Sequence, residues 1–185
     1  STLQGSQGVT ICKNLEEAKA AFNNLSVFPG SQSVLAEEYL DGQEMGAQAF
    51  VLNGEVLFSL LHDDEIYSSS IPVPLEHSVP TKINQDLQDK CKKIIRQAIY
   101  ALHLDNCAVN VDLMIVNQKP YILELTGRVG ANGLGEIVSK YFCIDYPSLI
   151  AAAAMSDKAE RFWNSKHCKH HEVLSRMIPP RIGML

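Results

Sequence analysis

The sequence has no apolar run long enough to cross a bilayer as a helix, which takes about 20 residues. No basic, apolar leader opens it, so no signal peptide is read. Cys12, Cys91, Cys107, Cys143 and Cys168 include no C-x-x-C pair. An odd, scattered set suits reduced thiols better than a disulfide framework, and we expect a cytoplasmic protein. Basic residues are in deficit, 16 Lys and Arg against 21 Asp and Glu, for a net charge of −5. That argues against nucleic acid or an anionic membrane as the main partner, while leaving room for a local basic pocket. Internal repeats and low-complexity linkers are also missing. The 185 residues, 46% hydrophobic and 20% charged, suit about one soluble domain with a sizeable core. The chain opens in a Gly-rich loop without a methionine, so we expect it to be part of a longer polypeptide.

What is present is clearest between Ala108 and Arg128. Two runs rich in Val, Ile, Leu and Tyr flank a polar segment ending in Pro120, a strand–turn–strand signal. Side chains alternate along a strand, so Asn110, Asp112 and Met114 share a face. Ile122, Glu124 and Thr126 are expected to share the matching face of the second strand. If residues 117–119 form the loop, Asp112 lies opposite Glu124 and Asn110 opposite Thr126. Two carboxylates facing each other across a ladder repel. A hard divalent cation with oxygen ligands compensates economically, and Mg²⁺ takes one or two carboxylates with water and phosphate. The competing reading is a solvated face on which the two acids titrate independently. A one-residue slip would also part them.

The rest of the chain supplies helices and shorter strands. Gln4–Gly8 is a Gly-rich loop of the kind that lets backbone N–H groups approach an anion. Asn14 with Glu17 has capping-box spacing, and Leu15, Ala18, Phe22 and Leu25 follow at helical intervals. Val34–Leu40 reads as a strand, Met45–Leu52 as a second, and Asn53-Gly54 as the turn of a hairpin returning through Glu55–Leu61. His62–Glu65 is expected to be a loop. Residues 66–80, with Pro72, Pro74 and Pro80, are expected to be irregular or edge structure. Asn84 caps a helix running to about His103, with a buried stripe of Leu87, Cys91, Ile94, Ile95, Ala98 and Leu102. Lys90, Lys92, Lys93 and Arg96 read as its solvated face. Two further helices follow Gly133 and Pro147. The tract His167-Cys168-Lys169-His170-His171 could attract a metal, yet consecutive residues rarely supply the four ligands of a closed Zn²⁺ site. The class is α+β with a mostly antiparallel sheet and flanking helices.

Three separated motifs, E-E-Y-L-D-G-Q-E (Glu37–Glu44), N-V-D-L-M-I (Asn110–Ile115) and E-L-T-G-R (Glu124–Arg128), together resemble the ATP-grasp superfamily. They look most like its carbamoyl-phosphate-synthase-like and amino-acid-ligase-like carboxylate–amine ligases. The P-L-E-H-S-V-P stretch and the helix after Gly133 look like that group too. The resemblance covers about residues 3–155 and implies the C-terminal subdomain of an ATP-grasp domain, with residues 156–185 starting a C-terminal extension.

That resemblance implies roles. Glu37, Glu38, Tyr39 and Leu40 would hold adenine, and Glu44 the ribose hydroxyls. Asp112 and Glu124 would hold Mg²⁺ on the ATP phosphates. Thr126 stands where the superfamily commonly has Asn as a further metal ligand, so Asn110 is expected to assist. Arg128 would steady the transferred phosphate or the substrate carboxylate, which its planar fork fits. Ser6 and Gly8 would belong to the loop over the phosphates, Asn132 would lie near the site, and His77 would orient the acyl acceptor or substrate.

The implied reaction moves the γ-phosphoryl group of ATP to a carboxylate and lets an amine displace phosphate. Its partners would be small-molecule carboxylate and amine substrates, the upstream ATP-grasp subdomains of the same protein, and, left open, a second copy in a homodimer. The family's upstream subdomain supplies lysines that this chain lacks, so the chain alone is expected to fold yet turn over little. The alternative is a nucleotide-binding regulatory module without catalysis.

Overall fold

Alternating apolar residues and two tight turns set up the sheet that carries every later feature. The computed structural model describes residues 8–26, 33–67, 73–163 and 169–178. Two compact units divide the chain, Ser1–Asp41 with Tyr67–Val73, and Gly42–Ile66 with Pro74–Leu185.

In the first unit, helix α1 (Leu15–Ser26) begins where the capping signal placed it. The Glu17 N–H donates to Asn14 Oδ1 at 2.9 Å, and the Glu17 carboxylate accepts from the Lys13 N–H at 2.8 Å. The expected strand at Val34–Leu40 does not form; residues 33–40 carry no regular secondary structure. Strand propensity expresses itself only against a hydrogen-bonding neighbour, and none of the described strand pairings includes this segment.

The second unit is built on strands β1 (Gln43–Leu52), β2 (Glu55–Tyr67), β3 (Val73–Val79), β4 (Cys107–Val116), β5 (Lys119–Thr126) and β6 (Val173–Arg176). Their order across the sheet is β5-β4-β1-β2-β3-β6. The β1–β2, β1–β4, β3–β6 and β4–β5 pairings are antiparallel. Asn53 and Gly54 take φ of 51° and 79°, as the two-residue β1–β2 turn requires.

Three expectations change here. His62–Glu65 is not a loop but part of β2. Its polar side chains find partners on both faces: Asp63 accepts from Thr81 Oγ1 at 2.5 Å and from the Lys82 N–H at 2.9 Å, and Asp64 accepts from two histidines on the other side. Within the proline-bearing segment 66–80, Val73–Val79 forms strand β3, which lies between β2 and β6 rather than being irregular or an edge. The β4–β5 loop is two residues, Asn117 and Gln118, both at positive φ. Asp112 still pairs with Glu124, because a bulge places Ile122, not Leu123, opposite Leu113. Ile122 therefore packs into the core on the face opposite Glu124, and Leu123 is 47% exposed.

Helices cover both faces. Helix α2 (Gln85–Ala101) starts at Asn84, whose side chain accepts from the Leu87 N–H. Its Leu87, Cys91, Ile95 and Ile99 pack on Met45, Ala47, Ala49, Val111 and Leu113. Burying each of the two isoleucines contributes about 1.5–3 kcal/mol. Leu102, expected in this stripe, lies past the helix end and is exposed. Helices α3 (Leu134–Phe142) and α4 (Tyr146–Ala154) cover the other face. Phe50, Phe58, Tyr146 and partly buried Phe142 and Trp163 form an aromatic core there, with the Phe58 and Phe142 centroids 4.7 Å apart. Strand β6, from the segment after residue 155, extends the sheet beyond β3. Cys12, Cys91 and Cys107 are free thiols, whereas Cys143 is disulfide-bonded, contrary to the all-reduced expectation. No helix among the described residues is long and apolar enough to cross a membrane.

Candidate functional site

The face that carries the aromatic core at one end turns polar at the other. Alternation along β1 sends Met45, Ala47 and Ala49 into the α2 core and leaves Glu44, Gly46 and Gln48 on the opposite side. Gly46 pairs with His62 on β2 and Asp112 on β4. A Cβ on Gly46 would overlap the His62 ring, so glycine is what lets that imidazole lie across β1.

Asp112 stands opposite Glu124, and Asn110 opposite Thr126. Gln48, 0% exposed, organises the ground between them. Its Nε2 donates to Asn110 Oδ1 at 2.6 Å, and its Oε1 accepts from the Gly130 N–H at 2.9 Å. Asn110 Nδ2 then donates to Asp112 Oδ1 at 3.2 Å. Both ends of the Asn110 amide are thus engaged within the protein, and it aims Asp112. The Thr126 hydroxyl is buried and makes no hydrogen bond. Two facing carboxylates beside an unpartnered oxygen fit a small, hard cation with oxygen ligands.

Sequence reasoning missed a second cluster. His62 Nδ1 lies 2.7 Å and His77 Nδ1 lies 2.5 Å from Asp64 Oδ1. His62 and His77 are both buried, at 2% and 4% exposed. Burial alone would raise the Asp64 carboxyl, but the hydrogen bonds from both histidines bring it below its ordinary value. The available signal was spacing: His62 and Asp64, two apart, share a face once the run is read as strand.

A cavity of about 170 Å³ joins the two clusters, with Glu44, His62, Asp64, His77, Asp112 and Arg128 in its wall. Asn132 also lines it. Glu44 is pushed above the usual carboxylate range, first by partial burial and then by Asp64 and Asp112. Arg128 follows the β5 end, its N–H donating to the Thr126 carbonyl at 2.9 Å. A larger groove of about 360 Å³ near Phe58, Lys92, Arg96 and Phe142 holds no carboxylate in its wall and offers no comparable metal chemistry.

Several expected site residues lie elsewhere. Ser6 is outside the described residues, as are His167 and Cys168 of the tail tract. Gly8 is described, in a turn at φ 79°. Glu37, Glu38 and Tyr39 are exposed in the first unit, Tyr39 by 63%, and Leu40 is half-buried there. His170 stacks near Tyr141 and Phe142, its Nδ1 3.0 Å from the Tyr141 carbonyl.

Comparison with known proteins finds relatives in sequence and in fold. Over 171 residues the chain is 23% identical to an alanine–anticapsin ligase of Bacillus subtilis, covering 80% of this chain and 36% of that protein. The structure of phosphoribosylglycinamide synthetase from Anaerococcus prevotii is 41% identical, with a TM-score of 0.75 over 90% of this chain and 42% of the other. An L-amino acid ligase from Bacillus licheniformis shares the fold at 17% identity, with a TM-score of 0.76 over 91% of this chain and 42% of that one. The chain thus spans less than half the length of these relatives. Residues 1–135, which include the β1 motif, the Asp112–Glu124 pair and Arg128, match the ATP-grasp domain profile, and the chain belongs to the ATP-grasp domain family.

Proposed function

We propose that the complete polypeptide carrying this chain is an ATP-dependent carboxylate–amine ligase. The observation that carries this reading is the pairing of Asp112 with Glu124 across β4 and β5, Asp112 sharing a cavity wall with Arg128. Asp112 and Glu124 would hold Mg²⁺, Thr126 would lie within reach of a second ion, and Asn110 would aim Asp112 rather than ligate. Bound Mg²⁺ would neutralise charge on the ATP phosphates during transfer.

The chain's own residues supply position and charge. Arg128, with its five fixed donors, would clamp the moving phosphoryl group or the carboxylate that receives it. Glu44 is assigned to the ribose hydroxyls, for which a carboxylate offers two acceptors. Glu37, Glu38, Tyr39 and Leu40 are assigned to adenine on their motif, and Ser6 and Gly8 to the phosphate loop on theirs. His77 is assigned to the acyl acceptor. Among carboxylates, an amino acid is the best-supported substrate, since one relative's name states alanine and another's a glycinamide product. The carbamoyl-phosphate-synthase-like subgroup rests on motif likeness, and these names favour the amino-acid-ligase side.

The test is Mg²⁺-dependent binding of a non-hydrolysable ATP analogue to the complete polypeptide. Wild type should bind more tightly with Mg²⁺, and Asp112→Asn and Glu124→Gln should each lose about tenfold or more, as the loss of one charge-assisted contact implies. Binding that ignores both Mg²⁺ and these substitutions would instead identify a nucleotide-binding module without catalysis.

A further inference from the structure

Asp64 is a carboxylate shared by two imidazoles, and its arrangement constrains where their protons lie. Its Oδ1 receives both contacts, from His62 Nδ1 and His77 Nδ1. An ionised carboxylate only accepts, and the lowered proton affinity of Asp64 keeps it ionised. Both Nδ1 atoms must therefore donate. In neutral rings each Nε2 then carries a lone pair. Both Nε2 atoms are buried and have no hydrogen-bond partner. Each unpaired buried acceptor is costly, and here both histidines line one cavity, their rings 5.1 Å apart and edge to face.

A ligand that completes this arrangement must bring N–H or O–H donors. The cavity wall holds the carboxylates Glu44, Asp64 and Asp112 against the single guanidinium of Arg128. That balance favours a cationic donor, and a primary ammonium group meets both demands. We infer that His62 and His77 present their Nε2 atoms as the subsite for the attacking amine, and that Asp64 is the positioning residue that fixes both tautomers. This rests on the ligase reading above and adds His62 and Asp64 to it.

The chemical step balances within that subsite. The amine nitrogen forms a bond to the acyl carbon of the acyl phosphate. The bond from that carbon to the phosphate oxygen breaks, and phosphate leaves with the electron pair. The ammonium gives one proton to an Nε2 before attack, which frees its lone pair, and the imidazolium so formed rests against the Asp64 carboxylate; the second proton, shed once the carbon–nitrogen bond has formed, leaves on the departing phosphate. A metal ion among the same three residues is the rival reading, because their ligand atoms lie within 4.8 Å of one another. Separations of 2.5 and 2.7 Å between Nδ1 and Oδ1 are hydrogen-bond distances. Ligands held at about 2.0–2.1 Å around one zinc ion stand farther apart than that.

The test is imidazole ¹⁵N NMR of this chain, titrated with glycinamide, an amine without a carboxylate. His62 and His77 should show protonated Nδ1 and lone-pair Nε2, and both Nε2 signals should move on titration. The fully N-methylated analogue, which has no N–H to donate from its cationic nitrogen, should leave them in place. Asp64→Asn should mix the tautomers, a signature that a packing role alone would not change. His62→Asn and His77→Asn keep a donor toward Asp64 while removing Nε2, and should weaken glycinamide binding about tenfold or more. These two variants decide the matter if Asp64→Asn does not fold. Protonated Nε2 atoms, signals indifferent to glycinamide, or stoichiometric Zn²⁺ uptake that shifts both histidines would overturn the inference. Amine binding needs no ATP here, so its failure is separate from a failure of Mg²⁺-dependent nucleotide binding.

Discussion

Gln48 is one amide in an otherwise apolar stretch of β1, and it holds two elements in place. Replacing it with Leu leaves the Asn110 carbonyl oxygen and the Gly130 N–H without their partner. Each buried group left unpaired costs about 1–3 kcal/mol, so Gln48→Leu should lower the urea midpoint strongly with little change in slope. An unaltered midpoint would remove Gln48 from the support of Asp112. Tyr146 gives the opposite case. Its ring packs edge-on against Phe50, but its hydroxyl is buried without a hydrogen bond. Tyr146→Phe keeps the ring and should stabilise the chain by about 1 kcal/mol; a loss of stability on urea unfolding would reveal a partner for that hydroxyl. Asp64 and Glu44 have opposite pH signatures. The folded state lowers the proton affinity of Asp64, so its stabilisation is present above the unfolded carboxylate value, near 4, and is lost as pH falls through its lower folded value. Wild type and Asp64→Asn should therefore converge in stability in acid. The folded state raises Glu44, so its ionisation removes stability as pH climbs through the carboxylate range.

At the scale of elements, the β4–β5 hairpin shows how much was legible and why. Alternation of apolar residues fixed which faces Asp112 and Glu124 take, and their pairing was readable before any coordinates. The loop was not, because Asn117 and Gln118 form a tight turn without the glycine that usually marks one. Reading one residue too many in the loop was offset by the bulge beside Leu123, so the pairing held while Ile122 changed face. Gln118 sits at φ 61°, a conformation that costs a non-glycine residue about 1 kcal/mol. Gln118→Gly should raise stability by a few tenths to about 1 kcal/mol, the relief of strain being partly offset by the flexibility glycine adds to the unfolded chain. Thermal unfolding would check it, and a clear drop would mean the turn uses the Gln118 side chain. The other element-level misses share a cause. His62–Glu65 looks like a loop because much of its polarity is satisfied by residues farther along the chain, such as His77 and Thr81. Val34–Leu40 looks like a strand because its residues favour one, but a strand exists only in a ladder. The short β6 carries too little pattern of its own, and its place is set by pairing with β3.

At the scale of the molecule, the Asp112–Glu124 pair, Arg128 and the Asp64 cluster all lie in the second unit, and Glu37–Leu40, proposed for adenine, lie in the first. The chain spans 36% of one ligase relative and 42% of a structural one. The ATP-grasp resemblance implies further phosphate contacts from lysines of an upstream subdomain. Each charge-assisted contact of that kind is worth about 1.5–3 kcal/mol, so losing two or three weakens nucleotide binding by orders of magnitude. The chain by itself should then retain the Asp112–Glu124 site and bind Mg²⁺ weakly, while releasing almost no phosphate from ATP. The complete polypeptide should restore phosphate release and make it depend on Mg²⁺, a carboxylate and an amine together. The contrast separates two sources of catalysis, since on the proposed reading metal and Arg128 chemistry would reside here whereas nucleotide affinity would be shared. Brisk Mg²⁺- and amine-dependent phosphate release from this chain alone would show that these residues hold ATP unaided and that the upstream lysines are dispensable.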